Sequence, residues 1–241
     1  MRRTFKSFYR LNLGITKCYL LECSGGYLLI DTAYHNSYKR FRKAIDALGV
    51  ELNQIRYLLL THHHDDHAGF AARLVEETGC TPIFHQEAFP ALSQGKSEET
   101  MKPVNRCVGT VFSVFQVIHR EFSYPRLAAA ENGILISGDN HDLLNSIEID
   151  GKILHTPGHT RDSISVVLSD GNAFVGDAAM NFLNFCRINY RPIFIEGIDS
   201  VFASWRKLID HGAKWIYPAH GKPFSADKLS RYTAGGSSNI T

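Results

Sequence analysis

Apolar and polar positions fall into two rhythmic blocks of strand and helix, separated by a stretch without rhythm. Residues 8–23 read as a first pair of strands, the clearer being Cys18-Tyr19-Leu20-Leu21-Glu22-Cys23, with Gly25-Gly26 after it as a tight-turn signal. Tyr27-Leu28-Leu29-Ile30 is a continuous apolar strand that ends in Asp31-Thr32. Between Ser37 and Leu48, the residues Tyr38, Phe41, Ile45 and Leu48 share one helical face. Ser37 is placed to cap that helix and Gly49 suits its left-handed end. A strand at 56–60, a helix at 68–78 and a short strand at Pro82-Ile83-Phe84-His85 complete the first block.

The rhythm is lost from 86 to 132. Glu87–Ser93 reads as a weak helix, Gln94–Thr100 is polar, Val111–Val117 has strand-like residues and Ala128-Ala129-Ala130 suits a helix. This stretch is read as an insertion between two half-domains, packed beside or over the functional site as a lid or binding loop. The plainer alternative is edge packing or a dimerisation element, which would make the protein a homodimer. From 134 the strands return, at 134–136, 147–149, 152–155, 163–168 and 173–175. A helix follows at 199–210, with Val201, Phe202, Trp205, Leu208 and Ile209 on one side, and then a strand, Lys214-Trp215-Ile216-Tyr217. The second block repeats the order of the first without repeating its residues. Such alternation argues for an α/β (α+β) fold of sheet layers covered by helices. Residues 1–233 are read as a single domain carrying the insertion, and 234–241 as a flexible tail.

Composition changes this picture little. With 241 residues, 44% hydrophobic and 21% charged, the chain is long enough for a sizeable core. A net charge of +2 without a dominant Lys/Arg run gives no reason to expect nucleic acid or a membrane surface as partner. No run approaches the ~18 apolar residues of a membrane span. The five cysteines, Cys18, Cys23, Cys80, Cys107 and Cys186, are odd in number and show no C-x-x-C spacing. They are read as free thiols in a cytoplasmic protein.

The twelve histidines are the unusual component. Directly after the apolar run Tyr57-Leu58-Leu59-Leu60 stands Thr61-His62-His63-His64-Asp65-Asp66-His67-Ala68-Gly69. So many polar side chains at the end of a buried strand are costly unless something binds them, and imidazoles with carboxylates at this spacing suit a divalent metal. Three further strands end the same way: Thr156-Pro157-Gly158-His159-Thr160, Gly176-Asp177 and Pro218-Ala219-His220-Gly221. In each, a Gly or Pro tightens the turn beside a His or Asp. Asp31, also at a strand end, either braces the metal loop from behind or caps its own turn.

The motif H-x-H-x-D-H at 62–67, followed in order by His159, Asp177 and His220, resembles the metallo-β-lactamase fold superfamily from Asp31 to His220. The resemblance implies a four-layer αβ/βα sandwich with the site at one edge between two sheets. It implies that His62, His64 and His159 hold one metal, that Asp66, His67 and His220 hold a second, and that Asp177 bridges them. Two divalent ions, with zinc as first choice and iron or manganese also suited, would share a hydroxide between them at a separation of roughly 3.5–4 Å. Asp66 would in addition orient that hydroxide or relay a proton, as the catalytic residue. His63 and Asp65, between the ligands, are expected behind the site or at the surface. The remaining histidines, His35, His85, His119, His141, His155 and His211, are read as structural or exposed.

Three departures narrow the family. Position 177 is Asp, where many antibiotic-hydrolysing members use Cys. Position 64 is His, where flavodiiron members have Glu. No long nuclease insertion is present. What remains is similar to hydroxyacylglutathione hydrolases (glyoxalase II) and lactonases, although Met180 stands where lactonases carry a Tyr. The expected activity is hydrolysis of an ester, thioester or lactone of a small molecule. The competing expectations are a phosphodiesterase, iron-dependent persulfide dioxygenase-like chemistry, and a metal-binding module without catalysis. Tyr190 stands near the position of the lactonase Tyr; the stretch Asn181–Arg187, with Phe182 and Phe185, is read as lining a pocket, with Arg187 or Arg191 to hold a substrate carboxylate, and a plain surface role is the equal alternative.

Overall fold

The computed structural model describes residues 8–97, 102–118 and 122–233. Its strands are β1 (Phe8–Asn12), β2 (Lys17–Cys23), β3 (Gly26–Ile30), β4 (Ile55–Leu59), β5 (Thr81–His85), β6 (Lys102–Pro103), β7 (Ile134–Ile136), β8 (Gly151–His155), β9 (Ile164–Leu168), β10 (Asn172–Gly176), β11 (Phe194–Ile195), β12 (Trp215–Pro218) and β13 (Phe224–Ser225). Its helices are α1 (Tyr38–Asp46), α2 (Asp65–Ala68), α3 (Ala71–Thr78), α4 (Phe89–Gln94), α5 (Arg106–Ile118), α6 (Leu143–Ser146), α7 (Ile198–Asp210) and α8 (Asp227–Thr233). One sheet runs β1-β2-β3-β4-β5-β7 and a second runs β13-β12-β10-β9-β8, while β6 pairs with β11 alone.

The continuous apolar strands follow from burial on both faces. In β2, β3 and β4, Leu20, Leu29 and Leu58 point towards Phe41 and Ile45 of α1 and Leu74 of α3. Their neighbours Tyr19, Leu21, Leu28, Ile30 and Leu59 point the other way, towards Ile153, Ile164, Val166 and Phe174 of the second sheet. That sheet's opposite face, with Leu154, Val167, Ala173, Val175 and Ile216, packs on Val201, Trp205 and Leu208 of α7 and Leu229 of α8. Because side chains alternate along a strand, two sheets with two buried faces each require a helix layer outside each one. The result is helix, sheet, sheet, helix, as the resemblance implied. Between the sheets, the Phe174 ring packs at 4.9 Å from both Phe8 and Tyr19.

Four local expectations are corrected. Val111–Val117 belongs to a helix, α5, whose start is capped by Asn105 Oδ1 accepting from Val108 N at 2.9 Å. Val108 and Val111, one turn apart, pack on the same apolar cluster, and that packing outweighs the strand preference of β-branched residues. Residues 147–149 form a turn in which Glu148 N and Ile149 N donate to the carbonyls of Asn145 and Leu144, with Glu148 at φ 65°. Ile147 and Ile149 are buried, but without a ladder. The helix expected at 68–78 is two helices, the first starting within the motif at Asp65. Ser37 makes no capping bond.

The cysteine reading also fails in part. Cys107 and Cys186 form a disulfide between α5 and the loop after β10, spanning 79 residues with Cα atoms 5.5 Å apart. Cys18, Cys23 and Cys80 are free. Spacing alone could not show a pair this far apart, and the argument from free thiols to a reducing compartment no longer holds. Among the described residues no helix is long and apolar enough to cross a membrane. The expected tail at 234–241 lies outside the described residues.

Replacing Phe174 with Ala should cost about 3–5 kcal/mol of stability in urea unfolding, since its ring fills the layer between the sheets. A loss below about 1 kcal/mol would mean that this layer closes over the gap without it.

Candidate metal centre

The site lies where strands of both sheets end. The motif leaves β4, His159 follows β8, Asp177 follows β10 and His220 follows β12. Two of the tight turns are enforced by crowding. A Cβ on Gly176, at φ +50°, would stand 2.3 Å from Thr61 Oγ1, and one on Gly221, at φ +99°, would stand 1.9 Å from Asn181 O. Both residues next to the ligands must therefore be glycine.

The predicted residues converge as two groups. His62 Nε2, His64 Nδ1 and His159 Nε2 lie 3.1–3.2 Å from one another. In the second group, His220 Nε2 is 3.0 Å from Asp66 Oδ2, and both His220 Nε2 and His67 Nε2 are 3.4 Å from Asp177 Oδ1. The other oxygen of Asp177 lies 3.6 Å from His159 Nε2, so this carboxylate stands between the groups. These sets have the side-chain types and closeness to hold metal ions.

What surrounds the rings determines which nitrogen faces inwards. His159 Nδ1 donates to the Phe194 carbonyl at 2.8 Å, and His220 Nδ1 donates to the Ile15 carbonyl at 3.2 Å. Thr61 Oγ1 gives its proton to Asp31 Oδ2 at 2.8 Å and so accepts from His62 Nδ1 at 3.1 Å. His67 Nδ1 donates to Asp31 Oδ2 at 2.9 Å. With the outer nitrogens carrying the protons, the inner nitrogens of neutral His62 and His159 present lone pairs, and those of His67 and His220 face carboxylate oxygens. His64 Nδ1 can donate to only one of its two neighbours, so the first group retains an unrelieved contact between acceptors. His67 Nε2 and Asp177 Oδ1 are likewise buried without a hydrogen-bond partner.

Charge separates the two groups. Burial, reinforced by the neighbouring imidazoles, holds His62 and His64 well below the usual histidine range. Burial also lowers His159, against the pull of Asp177. A proton therefore does not relieve the crowding there. In the second group burial opposes charge on His67 and His220, but the carboxylates around them outweigh it and raise both. Asp66 and Asp177 are held below the carboxylate range by those imidazoles, despite burial. Both groups call for positive charge, and the first accepts it only in a form other than a proton. Around a tetrahedral ion with metal–nitrogen distances of 2.0–2.1 Å, ligand nitrogens lie roughly 3.3 Å apart, close to the spacing of the first group. The residues thus fit metal ions.

Asp31 is the brace rather than a turn cap. It accepts from Thr61 N at 2.7 Å as well as from Thr61 Oγ1 and His67, and it sits in the left-handed region at φ 58°. His63 is buried and pairs with Asp162 at 2.9 Å, tying the motif to the His159 turn. Asp65 N donates to Ser97 Oγ at 3.0 Å, and burial beside Asp66 pushes the Asp65 carboxyl up to about 7. Tyr190 is not at the centre, since its ring packs 4.4 Å from Phe224. Arg191 donates to the Ile188 and Arg187 carbonyls, while Arg187 and Phe185 are exposed. Among the other histidines, His85 and His155 stack at 4.3 Å, and His119 lies outside the described residues.

Sequence reasoning missed four residues here. Asp162 and Ser97 carry no local signal. Tyr124, from the insertion, donates to the His63 carbonyl at 2.6 Å. Tyr34 lies three residues beyond Asp31; burial and the charges of Asp66, Asp65 and Asp177 raise its phenol far above the usual range, so it stays protonated beside the carboxylates. Its nearness to Asp31 along the chain was the only signal that could have found it.

A helix–sheet–sheet–helix sandwich with histidines and aspartates clustered at its strand ends, close enough to hold metal ions, defines the class of α/β protein. Residues 11–220 match the metallo-beta-lactamase superfamily, and the chain belongs to it. It is 25% identical over 207 residues to a beta-lactamase-like protein 2 homolog of Caenorhabditis elegans, covering 86% of this chain and 56% of the relative. The chain spans roughly half to two thirds of the length of such curated relatives. In fold it is similar to a metallo-beta-lactamase family protein of Thermus thermophilus, with TM-score 0.65 and 19% identity over 94% of this chain and 78% of that one. It is equally similar to a superfamily protein of Sulfolobus tokodaii, with TM-score 0.65 and 18% identity over 95% and 85% of the two chains.

Asp31→Ala should weaken metal affinity about 10–100-fold in chelator competition while far-UV circular dichroism is retained, because it frees Thr61 and His67 together. Unchanged affinity would show that Asp31 does not orient the ligands.

Proposed function

We propose that the protein is a dinuclear metal-dependent hydrolase acting on an ester, thioester or lactone of a small molecule. The observation that carries this reading is the first histidine group, whose lone pairs meet at 3.1–3.2 Å where burial keeps protons away. His62, His64 and His159 would hold one ion; Asp66, His67 and His220 the other; Asp177 both. Zinc suits the imidazole-rich set best, and iron or manganese also suit its carboxylates. Two ions so held would supply Lewis acidity towards a scissile carbonyl and bring the pKa of a water towards neutrality. Most members of the superfamily are metal-dependent hydrolases, which agrees with this reading.

The chain's own groups supply the rest. Asp66 is the more open carboxylate, 14% exposed against 5% for Asp177. Its Oδ2 is engaged with His220, and its Oδ1, 3.8 Å from His67 Nε2, would orient the attacking water or relay its proton. Asp31, Thr61, Phe194 O and Ile15 O keep the rings of His67, His62, His159 and His220 each in a fixed orientation.

Elemental analysis of the purified protein, together with a panel of acyl ester, thioester, lactone, phosphodiester and β-lactam substrates, tests the proposal. His62→Ala and Asp177→Ala should each lose bound metal and lower kcat/KM on the acyl substrates more than about 100-fold. Full turnover with two metals in either variant would refute the ligand assignment. Faster cleavage of the phosphodiester than of every acyl substrate would refute the reaction class.

A further inference from the structure

The insertion and the loop after Asp177 build a fourth apolar cluster apart from the three main cores. Val108 of α5 packs there with Met180, Cys186 and Ile188, and the Cys107–Cys186 disulfide runs through it. Backbone pairing secures the contact: β6 pairs with β11, Val104 N donates to Ile193 O at 2.9 Å, and Asn105 Nδ2 donates to Cys186 O at 2.8 Å. The insertion is thus fastened to the same loop that carries Phe194, whose carbonyl holds His159.

Half-exposed aromatic rings rim this cluster on the side of the metal centre. The Phe182 ring lies 5.9 Å from the His220 ring, at one end of the ligand set. At the other end Phe194 packs edge-on against Phe112 at 4.4 Å, and Phe112 stacks with Phe122 at 6.0 Å. Phe112, Phe182 and Phe194 are each only partly buried, so apolar surface stays open beside His220 and at the residue whose backbone carbonyl holds His159. Arg191 directs no cation at this surface, since it is engaged with backbone carbonyls.

We propose that the substrate carries an apolar acyl chain, and that this chain lies along the wall formed by Phe112, Phe182 and Phe194. The inference rests on the hydrolytic reading above and assigns its specificity. A carbonyl placed between the two ligand groups brings its substituent against one of these rings, and small-molecule sites are built in this way, with apolar walls around few polar groups. The disulfide keeps the wall in register with the metal centre, because Cys186 lies within the loop that carries Phe182 and Phe194.

The test measures binding separately from turnover. Alkyl hydroxamates from acetyl to decanoyl are titrated calorimetrically into the metal-loaded, full-length protein, and the matching p-nitrophenyl esters are assayed alongside. Affinity should rise about threefold per methylene until the wall is covered, close to the value for burying one CH₂ group. Phe182→Ala and Phe112→Ala, made separately so that one misfolded variant does not decide the outcome, should each lower that slope to below about twofold per methylene with metal content retained. Affinity independent of chain length, absence of hydroxamate binding, or a wild-type slope in both variants would overturn the proposal. A steep hydroxamate slope without hydrolysis of any ester would leave the wall standing and refute the hydrolytic reading.

Discussion

The centre of this protein is organised by three imidazole nitrogens crowded together where burial keeps protons away. Lone pairs with no proton between them repel, and burial raises the cost because water cannot intervene. The arrangement persists because four of the five rings are tied from behind, His62 and His67 by Thr61 and Asp31, and His159 and His220 by the carbonyls of Phe194 and Ile15. The fold is thereby prepared for positive charge, and the turns that carry these groups are anchored on well-packed strands.

The sheets make that possible. A strand buried on both faces cannot slide or rotate without moving two cores, so the residue at its end is fixed in position. Ligands are contributed by the ends of β4, β8, β10 and β12, two sheets' worth of rigid supports. The insertion adds what the sheets lack. It reaches the motif through Tyr124 and Ser97 and the opposite loop through the disulfide, so the variable part of the chain touches both sides of an otherwise repetitive scaffold.

Much of this was legible in the residues, for identifiable reasons. Continuous apolar runs ending in His or Asp marked doubly buried strands with polar tips, and the glycines beside Asp177 and His220 marked backbones that approach other chain segments closely. Asp31 could be suspected but not decided, because bracing and turn-capping demand the same side chain at the same strand end. The pairing of His63 with Asp162, 99 residues apart, leaves no local signal. Val111–Val117 misled because β-branched residues favour strands until a tertiary surface offers them a helical face. Ile147 and Ile149 alternate as a strand would, but they are buried by a turn. Cys107 and Cys186 could not be matched from spacing, since nothing in the chain shows that α5 returns to the loop after β10.

The tether on His220 bears on how the molecule comes into being. The carbonyl of Ile15 fixes that ring, Lys17 N donates to Ala219 O, and Thr16 bridges to His220, so a hairpin made early by the ribosome secures a turn made some two hundred residues later. During vectorial synthesis the nascent polypeptide exposes the 62–67 imidazoles long before their distant partners exist. The full cluster of histidines and aspartates is therefore complete only after release of the later strands, as a delayed, maturation-like event coupled to the docking of β12 against that hairpin.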